Sequence, residues 1–311
     1  MLLLLGLLVA AETGEIPSLP PLKGDLEQHY DAYIAATDAR IQREVQSAPY
    51  LWAEQSGERL QKVRRGEVVV QARNTRGSFE AGNGLLHDWM GAVFVPGAKL
   101  AQVVGVLQDC ARHKEYYRPE VQGCRVIGHE GDHWKLRYRV VKRYFITVVA
   151  NTDQDVDYTS LGSTRTISRS VASRIAEVKD AGKPTEREID PRKESTIVWR
   201  LNTYWRLEEK DGGTYIECET VSLTRAAPVG LGWLVNPIIR SLPGGSVAHL
   251  LEGTRGGVER QIGLNSPKEL PSCPSPASCL DARNRIESRI LAIFSRSLDA
   301  PTINSACGSS D

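Results

Sequence analysis

Hydrophobic positions along the chain alternate between helical and strand spacing. Between Gly24 and Ser47, Tyr30, Tyr33, Ile34, Ile41 and Val45 recur at near-helical intervals among charges, which predicts an amphipathic helix. Residues 66–73 (GEVVVQAR) and 89–96 (WMGAVFVP) read as strands, the second closed by proline. From Gly97 to Tyr117 the period changes: Leu100, Val103, Val104, Leu107, Cys110 and Ala111 follow i, i+3, i+4 spacing, so a helix follows the strand. Beyond Pro119 come strand-like runs at Gly123–Gly128, Trp134–Val141, Tyr144–Ala150, Arg165–Val178 and Thr196–Leu207. Another, Tyr215–Arg225, follows the hairpin turn Lys210-Asp-Gly-Gly213. A last helical segment starts with VGLGWLVNPIIRSL at Val229 and runs to Ile262. Gly230, Gly232 and Pro237 weaken it, and Gly244-Gly245 after Pro243 predicts a break into two pieces, hence a segment able to move.

Strands joined by short turns make an antiparallel sheet, so the plan is α+β. In residues 134–141, Trp134, Leu136, Tyr138 and Val140 share one face, with Lys135, Arg137 and Arg139 on the other. In residues 197–207, Ile197, Trp199, Leu201, Thr203, Trp205 and Leu207 oppose Arg200, Asn202 and Arg206. One face is therefore apolar and the other charged and in water. Glu217 and Glu219 are placed to pair across strands with those arginines, at roughly 0.2–1 kcal/mol each. The apolar face needs a cover, and the final helix is the strongly apolar one available. Residues 165–178 divide less cleanly: Ile167, Arg169, Val171 and Ile175 oppose Thr166, Ser168, Ser170, Ala172 and Arg174. Either assignment buries an arginine, which then needs an acceptor: a glutamate such as Glu217, or the anionic head of a ligand.

The order strand, helix, many strands, final helix resembles the START-like (SRPBCC, helix-grip) superfamily. The features that carry the likeness are GAVFVPGA, KLAQVVGVLQDCARHKEYYRPEV, ECETVSLTRAAP and VGLGWLVNPII, and it spans about residues 66–262. The resemblance implies a curved antiparallel sheet wrapped around a long C-terminal helix, with a hydrophobic cavity between them, and here an additional N-terminal helix. Members mostly bind or carry apolar molecules, and a minority catalyse cyclisation or lyase reactions. On this reading Trp134, Tyr138, Trp199, Thr203 and Trp205 line the cavity, Trp233 and Leu234 form its lid, and Arg174 holds a ligand head group. The implied function is non-catalytic binding or transport of a lipid, quinone or polyketide-like molecule. The alternative is a cyclase or aromatase-type enzyme, with Asp109, His113 or Arg174 giving acid–base help. A third reading makes the chain an interaction module with docking helices at residues 24–47 and 280–297.

The remaining features adjust this picture. The 311 residues carry a formal net charge of +1, which argues against nucleic acid as a partner. MLLLLGLLVAAE reads as a secretory leader over residues 1–11, too short for a transmembrane helix, so an exported protein with possible membrane contact during ligand exchange is expected. Residues 12–65 then form a linker and helix, 66–262 the main domain, and 263–311 a tail with a short helix. Cys110 and Cys218 fall in apolar-periodic segments and are expected as buried free thiols, while Cys273 and Cys279 could form a local disulfide. His129-Glu-Gly-Asp-His133 has the letters of a zinc-protease helix, but it lies between two strand patterns and reads as a hairpin turn. Asp109 and His113 are four apart, so on a helix they share a face. Gly-x-Ser-x-Gly, Gly-x-Gly-x-x-Gly and Walker patterns are absent from the chain, and no cofactor or metal is expected.

Overall fold

The computed structural model describes residues 24–73, 78–81, 84–143, 147–189, 197–225 and 232–263. The chain opens with α1 (Gly24–Glu44), a 3-10 turn (Ala53–Gln55) and α2 (Gly57–Arg64). Strands β1 (Val69–Ala72), β2 (Ser78–Ala81) and β3 (Gly84–Pro96) lead to α3 (Leu100–Gln108), a 3-10 turn (Cys110–Arg112) and the short α4 (His113–Tyr116). Then come β4 (Val121–Glu130), β5 (His133–Arg143), β6 (Thr147–Ser160), β7 (Arg165–Lys179), β8 (Arg187–Glu188), β9 (Val198–Lys210), β10 (Gly213–Arg225) and α5 (Gly232–Gln261).

The strands form one large antiparallel sheet in the order β1-β3-β10-β9-β7-β6-β5-β4, with β2 on β3 and β8 on β7. The antiparallel reading of the sequence therefore holds. The β9–β10 turn is built by positive φ at Asp211 (57°) and Gly212 (76°), the backbone that a two-residue hairpin requires. His129-Glu-Gly-Asp-His133 is the β4–β5 hairpin, with His129 opposite Trp134. The β6 strand runs ten residues past the predicted end at Ala150, because Thr152, Gln154 and Val156 keep the alternation buried although two of them are polar.

The helix α5 packs against β3, β10, β1 and α3, and this side of the sheet is called the inner face. Its core joins Val93, Trp205, Leu207, Ile216 and Cys218 from strands to Val247, Leu251 and Val258 from the helix. Close approach depends on small residues: a Cβ on Gly91 would sit 2.7 Å from Leu251 Cδ1, and one on Gly253 2.5 Å from Tyr117 Cδ1. The break expected at Pro243-Gly244-Gly245 is not present, and the helix continues through it for 30 residues in all. Gly244 lies buried with Trp89 beside it, so tertiary packing overrides the weak local propensity.

The outer face corrects the sequence reading. It was expected to be in water, yet Arg206, Glu217 and Glu219 are 5%, 0% and 2% exposed. The cover is α1, whose Leu26, Tyr30, Ile34 and Ile41 pack on Leu86, Tyr204, Val221 and Leu223, together with the segment Tyr50–Ala53. The α2 helix and the 3-10 turn before it had no clear signal in the hydrophobic pattern.

The cysteines bring a second correction. Cys110 is not a free thiol but is joined to Cys124 across 14 residues, tying the end of the α3 region to β4. Cys218 is free and buried, as expected. Cys273 and Cys279 lie outside the described residues.

Candidate functional site

The inner face is densely filled where α5 crosses β3 and β10, and less so over β5, β7 and β9. There Tyr138, Ser170 and Thr203 point inward and stay only half-buried. Register places Thr203 opposite both Ser170 and Thr220, so hydroxyls from three adjacent strands meet. Ser168, Ser222 and Thr224 extend the row, and His87 closes one end through Nε2 on Thr224 Oγ1 at 2.7 Å. The arrangement is a wall of apolar and hydroxyl side chains, the chemistry that an apolar molecule with a polar group would meet.

The sequence-selected residues divide between this wall and other places. Trp134 and Tyr138 stand on the inner side of β5 in a cluster with Leu136, Val156, Cys124 and Tyr158. Trp205 is in the inner core, and Thr203 lies on the wall. Trp199 does not join them: the β9–β10 register slips between Arg200 and Val198, and this bulge turns its ring to the α1 side. A bulge re-aims one side chain, which alternation alone does not foresee. Arg174 is also elsewhere, bonded to Glu188 of β8 in a half-exposed pair away from the wall. Trp233 and Leu234 lie in α5, but their side chains fall outside the described residues.

Asp109 and His113 do not share a helix face. The α3 helix stops at Gln108, and Asp109 accepts instead from Arg112 Nε and Tyr116 Oη. His113 turns into the protein, with Nε2 3.1 Å from the Val106 carbonyl and Nδ1 2.9 Å from Tyr138 Oη. Nε2–H therefore donates to the carbonyl and Nδ1 accepts from the phenol. Burial pushes His113 below its ordinary range and Tyr138 well above its own, so both are neutral at pH 7. Behind them, Tyr117 Oη meets Thr254 Oγ1 of α5 at 3.0 Å. Sequence reasoning missed this polar cluster, whose one signal was three tyrosines near His113 and on β5. It also passed over the hydroxyl row, although the repeat Thr166-x-Ser168-x-Ser170 was in plain view.

The outer face gathers a second polar group. Arg169, for which an acceptor was sought, holds Asp38 of α1 with Nε and Nη2 at 3.1 and 3.0 Å. Arg206 donates to Tyr50 O and to Glu44, and its Nη1 is 4.0 Å from Glu217. Glu217 accepts from the N–H groups of Trp52 and Ala53 at 3.0 and 2.8 Å. Burial pushes its carboxyl up to about 7, and burial with the nearby Glu219 charge does the same to Asp88. Among the described residues, no group of three His, Cys, Asp or Glu gathers to hold a metal, and no helix is long and apolar enough to cross a membrane.

Comparison with solved structures finds several to which the chain is similar. The chain is similar to a START superfamily protein from Mycobacterium smegmatis at 14% identity, over 56% of this chain and 99% of that one, with TM-score 0.40. A STAR-related lipid transfer protein from Xanthomonas axonopodis aligns at 15% identity over 59% and 99%, with TM-score 0.39. The Zhui aromatase/cyclase from Streptomyces sp. R1128 aligns at 17% identity over 57% and 96%, with TM-score 0.37. These are likenesses of fold alone. No family model and no curated protein matches the chain.

Proposed function

We propose that the protein binds or carries a hydrophobic small molecule, of lipid, quinone or polyketide-like character, against the inner face of the sheet. One observation carries this reading: Ser170 and Thr203 face inward yet remain half-buried, beside a core in which Leu207, Ile216 and Val247 are fully closed. An interior wall left partly open among the described residues is available to a guest. The curved sheet, α5 and an occupant would together complete the core. The solved lipid-transfer and cyclase structures with similar folds are compatible with it.

The cyclase alternative would place His113 and Tyr138 at the end of the wall, but both nitrogens of that histidine are already engaged. Binding is therefore the better-supported role. The Cys110–Cys124 disulfide favours an oxidising compartment, in keeping with an exported protein.

Native mass spectrometry of the purified full chain, followed by organic extraction, tests the proposal. The expected result is an apolar adduct, or uptake of a fluorescent fatty acid, that Ser170→Trp abolishes by filling the wall. A protein that takes up no fatty acid, quinone or polyketide and carries no adduct overturns it.

A further inference from the structure

A single row of paired residues crosses the inner face from β3 to β5: Trp89, Thr220, Thr203, Ser170, Val156 and Trp134. None of the six carries a charge. Thr220, Thr203 and Ser170 place hydroxyls between the two ends, and Ser170 Oγ donates to Gln154 Oε1 at 2.9 Å. Each end holds an indole nitrogen that is buried without a hydrogen-bond partner, Nε1 of Trp89 and Nε1 of Trp134. An indole N–H can only donate, so the group that completes it must be an acceptor. A buried donor left without one is costly. The two ends differ in their surroundings. Trp134 lies beside the β4–β5 hairpin, its ring centroid 3.8 Å from that of His129. Trp89 stands against α5, where a Cβ on Gly244 would fall 2.7 Å from its Cε3 and Cζ3. Those atoms form the edge of the indole opposite Nε1, so the helix takes the hydrocarbon edge and the N–H is turned away from that contact.

We propose that Trp89 is the specificity-determining donor of the inner wall, selecting an apolar guest that carries an uncharged acceptor oxygen of ketone or quinone type. This selection rests on the binding role proposed above and narrows the class of its ligand. The carbonyl oxygen accepts from Trp89 Nε1, and the apolar body of the guest lies along the row toward the half-buried Thr203 and Ser170. A carbonyl supplies lone pairs without bringing a charge. A hydrocarbon leaves the N–H unpaired, and an ammonium group has no lone pair to offer. A carboxylate would bring a charge into a row that, among the described residues, has no cation of its own to meet it, and an unpaired buried charge is the costliest case. Trp89 carries no sign of this role in the alternation of its strand, because the strand pattern shows which side a residue faces but not whether its polar atom finds a partner.

Equilibrium dialysis of the full chain against 2-acetylnaphthalene, its hydrocarbon isostere 2-isopropylnaphthalene and the carboxylate 2-naphthoate tests this. Trp89→Phe should weaken binding of the ketone by about five- to tenfold, the scale of one net hydrogen bond, and change binding of the hydrocarbon by less than about twofold. The hydrocarbon separates the lost hydrogen bond from any lost packing. On the unaltered protein, 2-naphthoate should bind more weakly than the ketone. If Trp89→Phe does not fold, the infrared carbonyl stretch of 2-acetylnaphthalene bound to the unaltered protein decides: it should lie below its position in hexane, as a hydrogen-bonded carbonyl does. Unchanged ketone affinity in the variant, equal loss of ketone and hydrocarbon, tighter binding of 2-naphthoate, a carbonyl band at its hexane position, or a ketone preference that is lost in Trp134→Phe instead would each overturn the role of Trp89 and leave the binding role in place. Failure of all three probes to bind, with no apolar adduct on the purified protein, would remove both.

Discussion

The two faces of this sheet are covered in opposite ways. On the inner face α5 meets the strands through Val247, Leu251 and Val258, aliphatic against aliphatic and aromatic. On the outer face α1 meets them partly through Leu26, Tyr30 and Ile34, and partly through ions: Glu27 with Arg200, Asp38 with Arg169, Arg40 with Glu219 and Glu44 with Arg206. The apolar cover gains free energy from area and tolerates a gap, since an unfilled apolar wall leaves no charge without a partner. The ionic cover depends on completeness, because each buried charge left alone is penalised in full. This difference makes one side an apolar contact and the other an ionic clamp.

Four measurements can break or sharpen that contrast. Arg206→Ala leaves the buried Glu217 without its neighbouring guanidinium, while Glu44 keeps Arg40 and Arg73, and should destabilise the protein by about 3–5 kcal/mol in chemical denaturation. A loss below about 1 kcal/mol, the scale of a surface ion pair, would mean that α1 is not an ionic cover. Leu251→Ala, on the inner side, should cost about 2–5 kcal/mol by transfer and cavity terms, with a value at the low end if the site collapses into neighbouring space.

The third measurement is stability against pH. Asp88 and Glu217 have folded-state values raised to about 7, above those of an unfolded chain, so the folded state binds these protons more tightly. Their effect is most favourable below about pH 4, declines as pH rises toward about 7, and is level beyond, a change on the order of 3–4 kcal/mol for each group. Glu217→Gln should flatten the decline between pH 5 and 7.5, and an unchanged slope would remove Glu217 from the account. The smallest effect is expected for Arg174→Ala, whose partner Glu188 is half-exposed: about 0–1 kcal/mol, with apolar ligand uptake unaltered. Loss of uptake in that variant would return Arg174 to the ligand site from which its ion pair separates it.

The same contrast explains what was readable in advance. Alternation in 134–141 and 197–207 placed Tyr138, Thr203 and Trp205 on the inner face, because the two-residue period of a strand assigns every side chain to one side or the other. It misplaced Trp199, because a bulge adds a residue without any mark in composition. Asp109 and His113 were paired by helical spacing, but the helix ended one residue short of Asp109, and His113 found Tyr138 on a strand 25 positions away.

By itself, then, the chain determined its longer strands and helices, its antiparallel sheet and, where no bulge intervenes, which side of the sheet a strand residue faces, since these follow from periodicity and short turns. Only tertiary structure decided that the charged face is covered, that Cys110 pairs with Cys124, that Pro243-Gly244-Gly245 stays helical and where each arginine finds its carboxylate. Those outcomes depend on distant segments meeting in space, and the free energy of such meetings is not encoded in the neighbours of any one residue.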